Sequence, residues 1–151
     1  MLSKKLKTFL DQHHVKYTIV QHAPAYTAQE IAATSHVSGK EFAKSVVVKV
    51  DGKMALLVES ANQKVNFDHF KKFLKNGEVE LASEFEFETQ FPECELGAMP
   101  PFGNLYDMEV YVSENLTHEK NIVFNAGDHS ELIKISFQDF ERLVKPKIIS
   151  L

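Results

Sequence analysis

Three short segments carry residues whose types and spacing could do chemistry. Lys44 opens an apolar stretch that continues from Val46 to Val48. Residues 97–103 read GAMPPFG, and residues 125–129 read NAGDH at the end of another apolar run. An ammonium at the entry of a strand can be a fixed donor to a phosphate or a polarised carbonyl. A stiff, neutral loop offers backbone groups instead, and loops at strand ends commonly carry binding groups.

Each segment also has an ordinary interpretation, since a lysine at a strand entry is usually solvated and a Gly-Asp pair is usually only a turn. Other chemistries lack support. The seven histidines include no pair at i, i+4 spacing around a glutamate, and Cys94 is the only cysteine, so we expect no metal site and no cofactor. Glu93 and Glu95 flank Cys94 and disfavour its thiolate. No nucleophile elbow, phosphate-binding P-loop or dinucleotide fingerprint occurs.

The elements that must position these segments can be predicted from turn and capping signals. Asp51-Gly52 lies between FAKSVVVKV and KMALLVES and predicts a tight β-hairpin that begins near Lys44. Capping residues predict four helices, which begin at Ser3, Thr27, Asn66 and Ser83. A fifth helix is predicted in SFQDFERLV, before Pro146, and further strands at 16–22, 78–82, 108–113, 121–125 and 132–136.

Strands therefore outnumber helices, and several of them adjoin one another through hairpins rather than alternating strictly with helices. This order predicts an α/β fold of the α+β type, with a mixed, largely antiparallel, barrel-like central sheet and helices packed around it. The chain has 151 residues, of which 44% are hydrophobic and 25% charged, and we expect residues 1–151 to form a single domain.

Targeting and membrane signals are missing from the sequence. No signal-peptide pattern and no continuous apolar run of about 18 residues occurs, so we expect a cytoplasmic protein with no membrane partner. No exposed apolar stripe is left over, which favours a monomer.

The distribution of charge is uneven. The net charge of −4 argues against a general nucleic-acid binder. Residues 1–75 nevertheless carry a net charge of +6, whereas residues 76–151 carry −10. Two solvated faces would explain this difference, and so would a basic approach to a site for an anionic ligand. In the second interpretation the approach face comprises Lys40, Lys44, Lys49, Lys53 and Lys64.

Taken together, four segments resemble the YbaK/prolyl-tRNA-synthetase-associated family of aminoacyl-tRNA editing domains. They are HAPAYTAQEIA, FAKSVVVKVDGKMALLV, the GAMPPFG loop and VFNAGDHSELIKISFQDFERL, and they span nearly the whole chain. The resemblance implies a mixed α/β fold with a barrel-like sheet. It also implies hydrolysis of the ester that joins a wrongly attached amino acid to the 3′ end of a tRNA, without a metal.

The resemblance also implies roles for individual residues. Lys44 matches the functional lysine that holds the substrate, and Gly97 and Pro101 match the GxxxP loop that surrounds the scissile ester and a water. These three are the expected catalytic residues, and no side-chain nucleophile is required because a hydroxyl of the substrate adenosine is considered a participant. The expected substrate-binding residues are the rest of both loops: Ala98, Met99, Pro100, Phe102, Gly103, Asn125, Ala126, Gly127, Asp128 and His129.

The expected partner is the acceptor end of an aminoacyl-tRNA, with a small amino acid on tRNAPro or a related tRNA, and association with an aminoacyl-tRNA synthetase remains open. Two alternatives also remain. One is a non-catalytic module of the same fold that binds aminoacyl groups, nucleotides or a synthetase, and the other is an interaction protein with a degenerate pocket. The identity of the amino acid depends on pocket volume at the level of a methylene and cannot be predicted from the sequence.

Overall fold

Five α-helices and eight β-strands make up the regular structure of the described residues in this computed structural model. Those residues are 3–21, 38–75, 77–92, 94–95 and 97–150. The helices are α1 (Lys4–Gln12), α2 (Phe67–Phe73), α3 (Glu84–Phe87), α4 (Glu114–Thr117) and α5 (Phe137–Val144). The strands are β1 (Thr18–Gln21), β2 (Ala43–Val50), β3 (Lys53–Ser60), β4 (Val79–Leu81), β5 (Glu109–Ser113), β6 (Asn121–Asn125), β7 (Glu131–Ser136) and β8 (Lys147–Ile149).

The strands form two sheets. One has five strands in the order β4-β2-β3-β5-β8, and the other has three in the order β1-β7-β6. Strand β3 pairs with β5, and β5 with β8, in parallel, whereas the other pairings are antiparallel. The predicted mixed and largely antiparallel α+β fold is therefore confirmed.

Among the described residues, one parallel bridge joins the two sheets. Phe42, just before β2, pairs with Val123 in β6, and the Val123 N–H donates to the Glu41 carbonyl over 2.9 Å. The described strands curve around a shared core but do not close into a barrel, so the barrel-like description holds only loosely. The bridge matters for the site because it brings the start of β2 alongside the end of β6.

Local signals form the elements that they predict. The Ser3 hydroxyl accepts a hydrogen bond from the Leu6 N–H, and the Asn66 side chain accepts one from the His69 N–H. Ser83 forms a reciprocal capping box with Glu86. The turn between β2 and β3 is the predicted two-residue Asp51-Gly52 turn. The helix predicted to begin at Thr27 lies outside the described residues.

Two elements near the chain's C-terminal end do not follow from the sequence pattern. Helix α4 is a single short turn capped by Ser113, and strand β8 follows directly after Pro146. Strand β8 exists because it pairs in parallel with Tyr111–Ser113 of β5. Tertiary pairing of this kind leaves no local signal, since the partner strand is distant in sequence.

Phenylalanine rings form the core that supports the loops. Phe102 is fully buried, and its ring contacts the rings of Phe9, Phe124 and Phe140 at centroid distances between 5.5 and 6.0 Å. A second cluster lies under α2, where the ring of Phe70 packs on Tyr111. None of the helices in the described part of the chain is long and apolar enough to cross a membrane.

Candidate functional site

Backbone hydrogen bonds fasten the loop at residues 97–103 to the loop at residues 125–129. The Gly127 N–H donates to the Ala98 carbonyl over 3.1 Å, and the Glu95 N–H donates to the Gly127 carbonyl over 2.8 Å. A Cβ atom added to Gly97 would lie 3.5 Å from Cε1 of the His129 ring. The structure therefore brings together two of the three segments that the sequence singles out.

The backbone favours glycine at the first residue of the 97–103 loop and at the middle residue of the 125–129 loop. Gly97 has φ +84° and Gly127 has φ +111°, which are backbone conformations that other residues adopt only with strain. At Gly127 a Cβ would also lie 3.1 Å from Cβ of Ser3, whose N–H donates to the Ala126 carbonyl over 2.8 Å. The first turn of α1 thus packs directly against the second loop.

The side chain of Asp128 shapes the second loop. Its Oδ1 accepts hydrogen bonds from the Ser130 N–H at 2.9 Å, the Ser130 hydroxyl at 3.1 Å and the Glu131 N–H at 2.9 Å. This turn presents His129, which is 7% exposed and whose Nε2 lies 3.8 Å from a Glu95 carboxylate oxygen. Asp128 therefore has a structural role that its prediction as a substrate-binding residue did not include.

The first loop turns most of its side chains into the core. Ala98, Met99 and Phe102 are at most 5% exposed, and the two prolines and Gly103 are buried as well. Only Gly97 is exposed, and its N–H lies 3.3 Å from Sδ of Met99, which is a weak acceptor. The loop therefore presents backbone rather than side chains. A substrate-binding role for its buried members stays a prediction.

The third segment reaches the site through the bridge between the two sheets. The two chains run parallel at the Phe42–Val123 pair. Two residues further along, one chain reaches Lys44 and the other reaches Asn125. Because Phe42 and Val123 pack in one small buried cluster, and strand side chains repeat every two residues, Lys44 and Asn125 point to that same side. In the register of this bridge, Lys44 is level with Asn125, the first residue of the 125–129 loop. Among the described residues, no hydrogen bond or ion pair joins it to residues 97–101.

The Lys44 ammonium is held in a half-buried position. It donates to the Gln63 carbonyl over 2.6 Å, and its strand partner across the hairpin is Glu59, which is 1% exposed. Burial lowers the pKa of Lys44 below its usual 10.5, and the nearby Glu59 carboxylate opposes part of that shift. A desolvated cation of this kind interacts strongly with an anion that enters its site.

Asn125 contributes a buried acceptor to the same side. The residue is 7% exposed, and its Oδ1 is buried without a hydrogen-bond partner among the described residues. A buried polar atom without a partner in a folded protein calls for an explanation, and a bound ligand or water is the usual one.

Two residues of the site region escape prediction from the sequence. Glu59 could have been found, because a two-residue turn at Asp51-Gly52 fixes the register that sets Glu59 opposite Lys44. Ser45 could not have been found in the sequence, because its place beside the first loop results from tertiary packing. Its hydroxyl is buried without a partner in the described structure, and it lines a cavity of about 220 Å³ with Gly97, Met99, Val46, Val47, Leu81, Ala82, Glu84 and Phe87. Ser45 points away from Lys44, because successive strand residues face opposite sides.

The site offers little that could hold a metal ion. No group of three His, Cys, Asp or Glu side chains within the described ranges is placed to coordinate one. What the arrangement provides is a half-buried ammonium, a buried amide oxygen, an imidazole and glycine-rich backbone, which together suit an anionic substrate with a carbonyl group.

The fold and this site define a class of small α+β domain in which two loops are joined through their backbones and a strand lysine lies level with the start of one of them. The chain belongs to the aminoacyl-tRNA editing domain family, whose family model matches residues 22–143. The resemblance noted from the sequence is thereby confirmed.

Individual relatives agree with this assignment. The chain is 25% identical over 142 residues to the prolyl-tRNA editing protein ProX of Acetoanaerobium sticklandii. This match covers 90% of this chain and 86% of that protein. It is 33% identical over 105 residues to the proline–tRNA ligase of Bacillus subtilis, covering 68% of this chain but only 18% of the ligase. The chain thus spans about a fifth of that larger enzyme. The crystal structure of a candidate trans-editing enzyme for prolyl-tRNA synthetase superposes with a TM-score of 0.81 at 19% identity, covering 100% of this chain and 98% of that one.

Proposed function

We propose that residues 1–151 form a single editing domain that hydrolyses, in trans, the ester of a mischarged aminoacyl-tRNA. Membership of the aminoacyl-tRNA editing family supports this proposal, as does a relative, matched over 86% of its length, that is named a prolyl-tRNA editing protein. One observation carries it. The Gly97 backbone lies against His129, in loops that are joined by hydrogen bonds, and the register of the bridge between the sheets sets Lys44 level with Asn125.

The reaction does not require a side-chain nucleophile, because an aminoacyl ester is already activated. Water adds to the carbonyl carbon, the bond from that carbon to the ribose oxygen breaks, and the ribose oxygen leaves as a hydroxyl of the terminal adenosine. Positioned water and fixed dipoles around the developing oxyanion are sufficient to accelerate such a step. We assign this task to the backbone around Gly97, where Pro101 fixes the far end of the loop.

Lys44 would hold the substrate through a phosphate or carbonyl oxygen. Its ammonium would exchange the Gln63 carbonyl, 2.6 Å away, for the more strongly accepting oxygen of the substrate. The unpartnered Oδ1 of Asn125 would accept a hydrogen bond from the substrate's ammonium or ribose hydroxyl. His129 would border the same space, because Gly97 lies against its ring.

We infer the substrate class from the names of the relatives. We propose a small amino acid attached to tRNAPro or a related tRNA, since ProX is named for prolyl-tRNA editing and the larger relatives are proline–tRNA ligases. The non-catalytic alternative would use the same groups for binding without turnover.

The test is a panel of tRNAs misacylated with Ala, Cys, Ser or Thr, with release of free amino acid as the readout. The wild type should deacylate at least one member of the panel. Lys44→Ala should reduce kcat/KM by about a hundredfold or more while leaving the circular dichroism spectrum unchanged. Lys72→Ala is the matched control, because Lys72 is an exposed lysine in the last turn of α2 and is not part of the predicted approach face.

The outcomes separate the alternatives. Full activity in a folded Lys44→Ala variant would refute the role of the lysine. Binding of aminoacyl-tRNA by the wild type without turnover on any substrate would refute the enzyme and favour the binding module.

A further inference from the structure

The cavity lined by Ser45 opens beside the first loop. Its walls come from β2, from residues 81–87, and from Gly97 and Met99 of the loop. Apart from Ser45 and the exposed Glu84, the side chains that line it are apolar: Val46, Val47, Leu81, Ala82, Phe87 and Met99. The cavity therefore joins an apolar wall to the backbone at which we place the scissile ester.

The Ser45 side chain faces into this cavity. Residues two apart on a strand face the same side, so Ser45 shares a side with Val47. Val47 belongs to the same hydrophobic cluster as Ala82 and Met99, which line the cavity as well. The hydroxyl oxygen of Ser45 is buried there, and it has no hydrogen-bond partner among the described residues. A buried hydroxyl without a partner costs free energy that a hydrogen-bonding group of a ligand would recover.

An unpaired edge of β2 connects the cavity with the side of the strand that carries Lys44. On the edge away from β3, β4 pairs with β2 only from Val48 to Val50, and β6 meets it only at Phe42. At Lys44 and Ser45 this edge therefore pairs with no strand in the described part of the chain. A substrate that lies across the edge can contact the lysine on one side and enter the cavity on the other.

The size and the chemistry of the cavity favour a small, polar side chain. Its volume of about 220 Å³ lies below the roughly 300–1,000 Å³ of typical small-molecule pockets. A serine or threonine hydroxyl can form a hydrogen bond with Ser45, whereas an alanine methyl group leaves the buried hydroxyl without a partner. A site built in this way discriminates by hydrogen bonding, which separates similar substrates better than size alone does.

We propose that this cavity holds the side chain of the amino acid and that Ser45 selects serine or threonine by a hydrogen bond to its hydroxyl group. The inference rests on the proposed function, because it takes the ester to lie at Gly97. It deepens that proposal by naming the substrate, which is a tRNA misacylated with a hydroxyl-bearing amino acid. Ser45 determines specificity and takes no part in breaking the ester bond.

The test compares serine with 2-aminobutyrate, in which a methyl group replaces the serine hydroxyl at nearly the same shape. Deacylation of tRNAPro that carries each amino acid gives the ratio of the two kcat/KM values. The wild type should favour the seryl substrate, and Ser45→Ala should lower the ratio by about 2- to 12-fold, which corresponds to one hydrogen bond. Because the ratio compares two substrates of one variant, a loss of folded protein does not alter it.

The matched control is Ser60→Ala, which removes a buried hydroxyl from the neighbouring strand β3. That hydroxyl already has protein partners, because it lies 3.3 Å from a carboxylate oxygen of Glu59 and 3.0 Å from Oδ1 of Asn62. Ser60→Ala should therefore leave the substrate ratio at its wild-type value.

A binding measurement tests the cavity without turnover. Adenosine analogues that carry serine or 2-aminobutyrate through a 3′-amide resist hydrolysis, and isothermal titration calorimetry gives the Kd of each. The wild type should bind the seryl analogue more tightly by about 2- to 12-fold, and Ser45→Ala should bind the two analogues with nearly equal affinity.

Equal affinity of the wild type for the two analogues, an unchanged ratio in Ser45→Ala, or an equal change in Ser60→Ala would overturn the inference. Failure of the proposed function gives a different result. A wild type that prefers the seryl analogue but hydrolyses no ester would refute only the enzyme. One that hydrolyses the 2-aminobutyryl ester as fast as the seryl ester would refute only the role of Ser45.

Discussion

Replacing Gly97 with alanine has two effects that can be measured separately. It strains the backbone, and it adds a methyl group beside the candidate site. Gly97 has φ +84°, and an added Cβ would lie 3.5 Å from the His129 ring, which is an ordinary van der Waals contact. The substitution should therefore create conformational strain but no steric clash in the folded protein. The new methyl group would nevertheless occupy space beside the imidazole, where we place the scissile ester.

The structural cost can be estimated from the backbone alone. A non-glycine residue in the left-handed region costs about 1–2 kcal/mol. For a domain of this length, 1 kcal/mol lowers Tm by about 2–4 °C, so Gly97→Ala should lower Tm by about 2–8 °C. Displacement of a reacting group by a methyl should reduce kcat/KM by about tenfold to a hundredfold.

The matched control is Gly52→Ala. Gly52 has φ +82°, is exposed in the β2–β3 turn, and has nothing within 4 Å of the added Cβ. The two substitutions therefore introduce nearly the same strain in different surroundings. Differential scanning calorimetry should give similar losses of Tm for both variants, and the deacylation assay should give a loss of activity for Gly97→Ala alone.

The reasoning would be refuted if both variants lost the same fraction of activity, because strain would then explain the loss. It would equally be refuted if Gly97→Ala lost stability and kept full activity on the misacylated tRNA that the wild type prefers.

Two further predictions concern the charged residues that support the fold. The pKa of Glu86 is lowered to about 2 from 4.5, first by its bond to Lys49 and then by the capping bonds with Ser83. Because this pKa is lower in the folded state, its contribution is present above pH 4.5 and is lost as the pH falls towards 2. Urea unfolding should therefore show Glu86→Gln less stable than the wild type at pH 7, with a difference that disappears near pH 2; a difference independent of pH would contradict the assignment. Asp128→Ala removes an acceptor for two backbone N–H groups and a hydroxyl, and should lower the free energy of unfolding in urea by about 1–3 kcal/mol. A variant as stable as the wild type would show that water replaces these bonds.

Local signals account for most of the fold that the sequence predicts. The hairpin at Asp51-Gly52 and the caps at Ser3, Asn66 and Ser83 each depend on residues within a few positions of one another. Interactions over this range leave a readable pattern, because turn geometry and orphan N–H groups restrict the residue types that fit. The same hairpin also fixes the position of Glu59 opposite Lys44.

Pairings between distant segments leave no such pattern. The parallel partners of β5 are β3 and β8, and nothing in KPKII after Pro146 indicates which strand it will join. The basic face predicted around Lys49 illustrates the same limit. The lysines can be counted in the sequence, but the partners Glu80 and Glu86 that neutralise Lys49 are known only from the fold.

The candidate site depends on both kinds of information. The GxxxP loop looks anomalous in the sequence because it is stiff and neutral, and its burial explains why. Most of its side chains belong to the core, so what it presents to solvent is the backbone at Gly97. Its geometry is therefore controlled by buried residues such as Phe102, and the two loops are held together by backbone hydrogen bonds at Ala98 and Gly127. The glycines and prolines of such a loop can be identified in the sequence, but the register that sets Lys44 level with Asn125 follows only from the bridge that joins the two sheets.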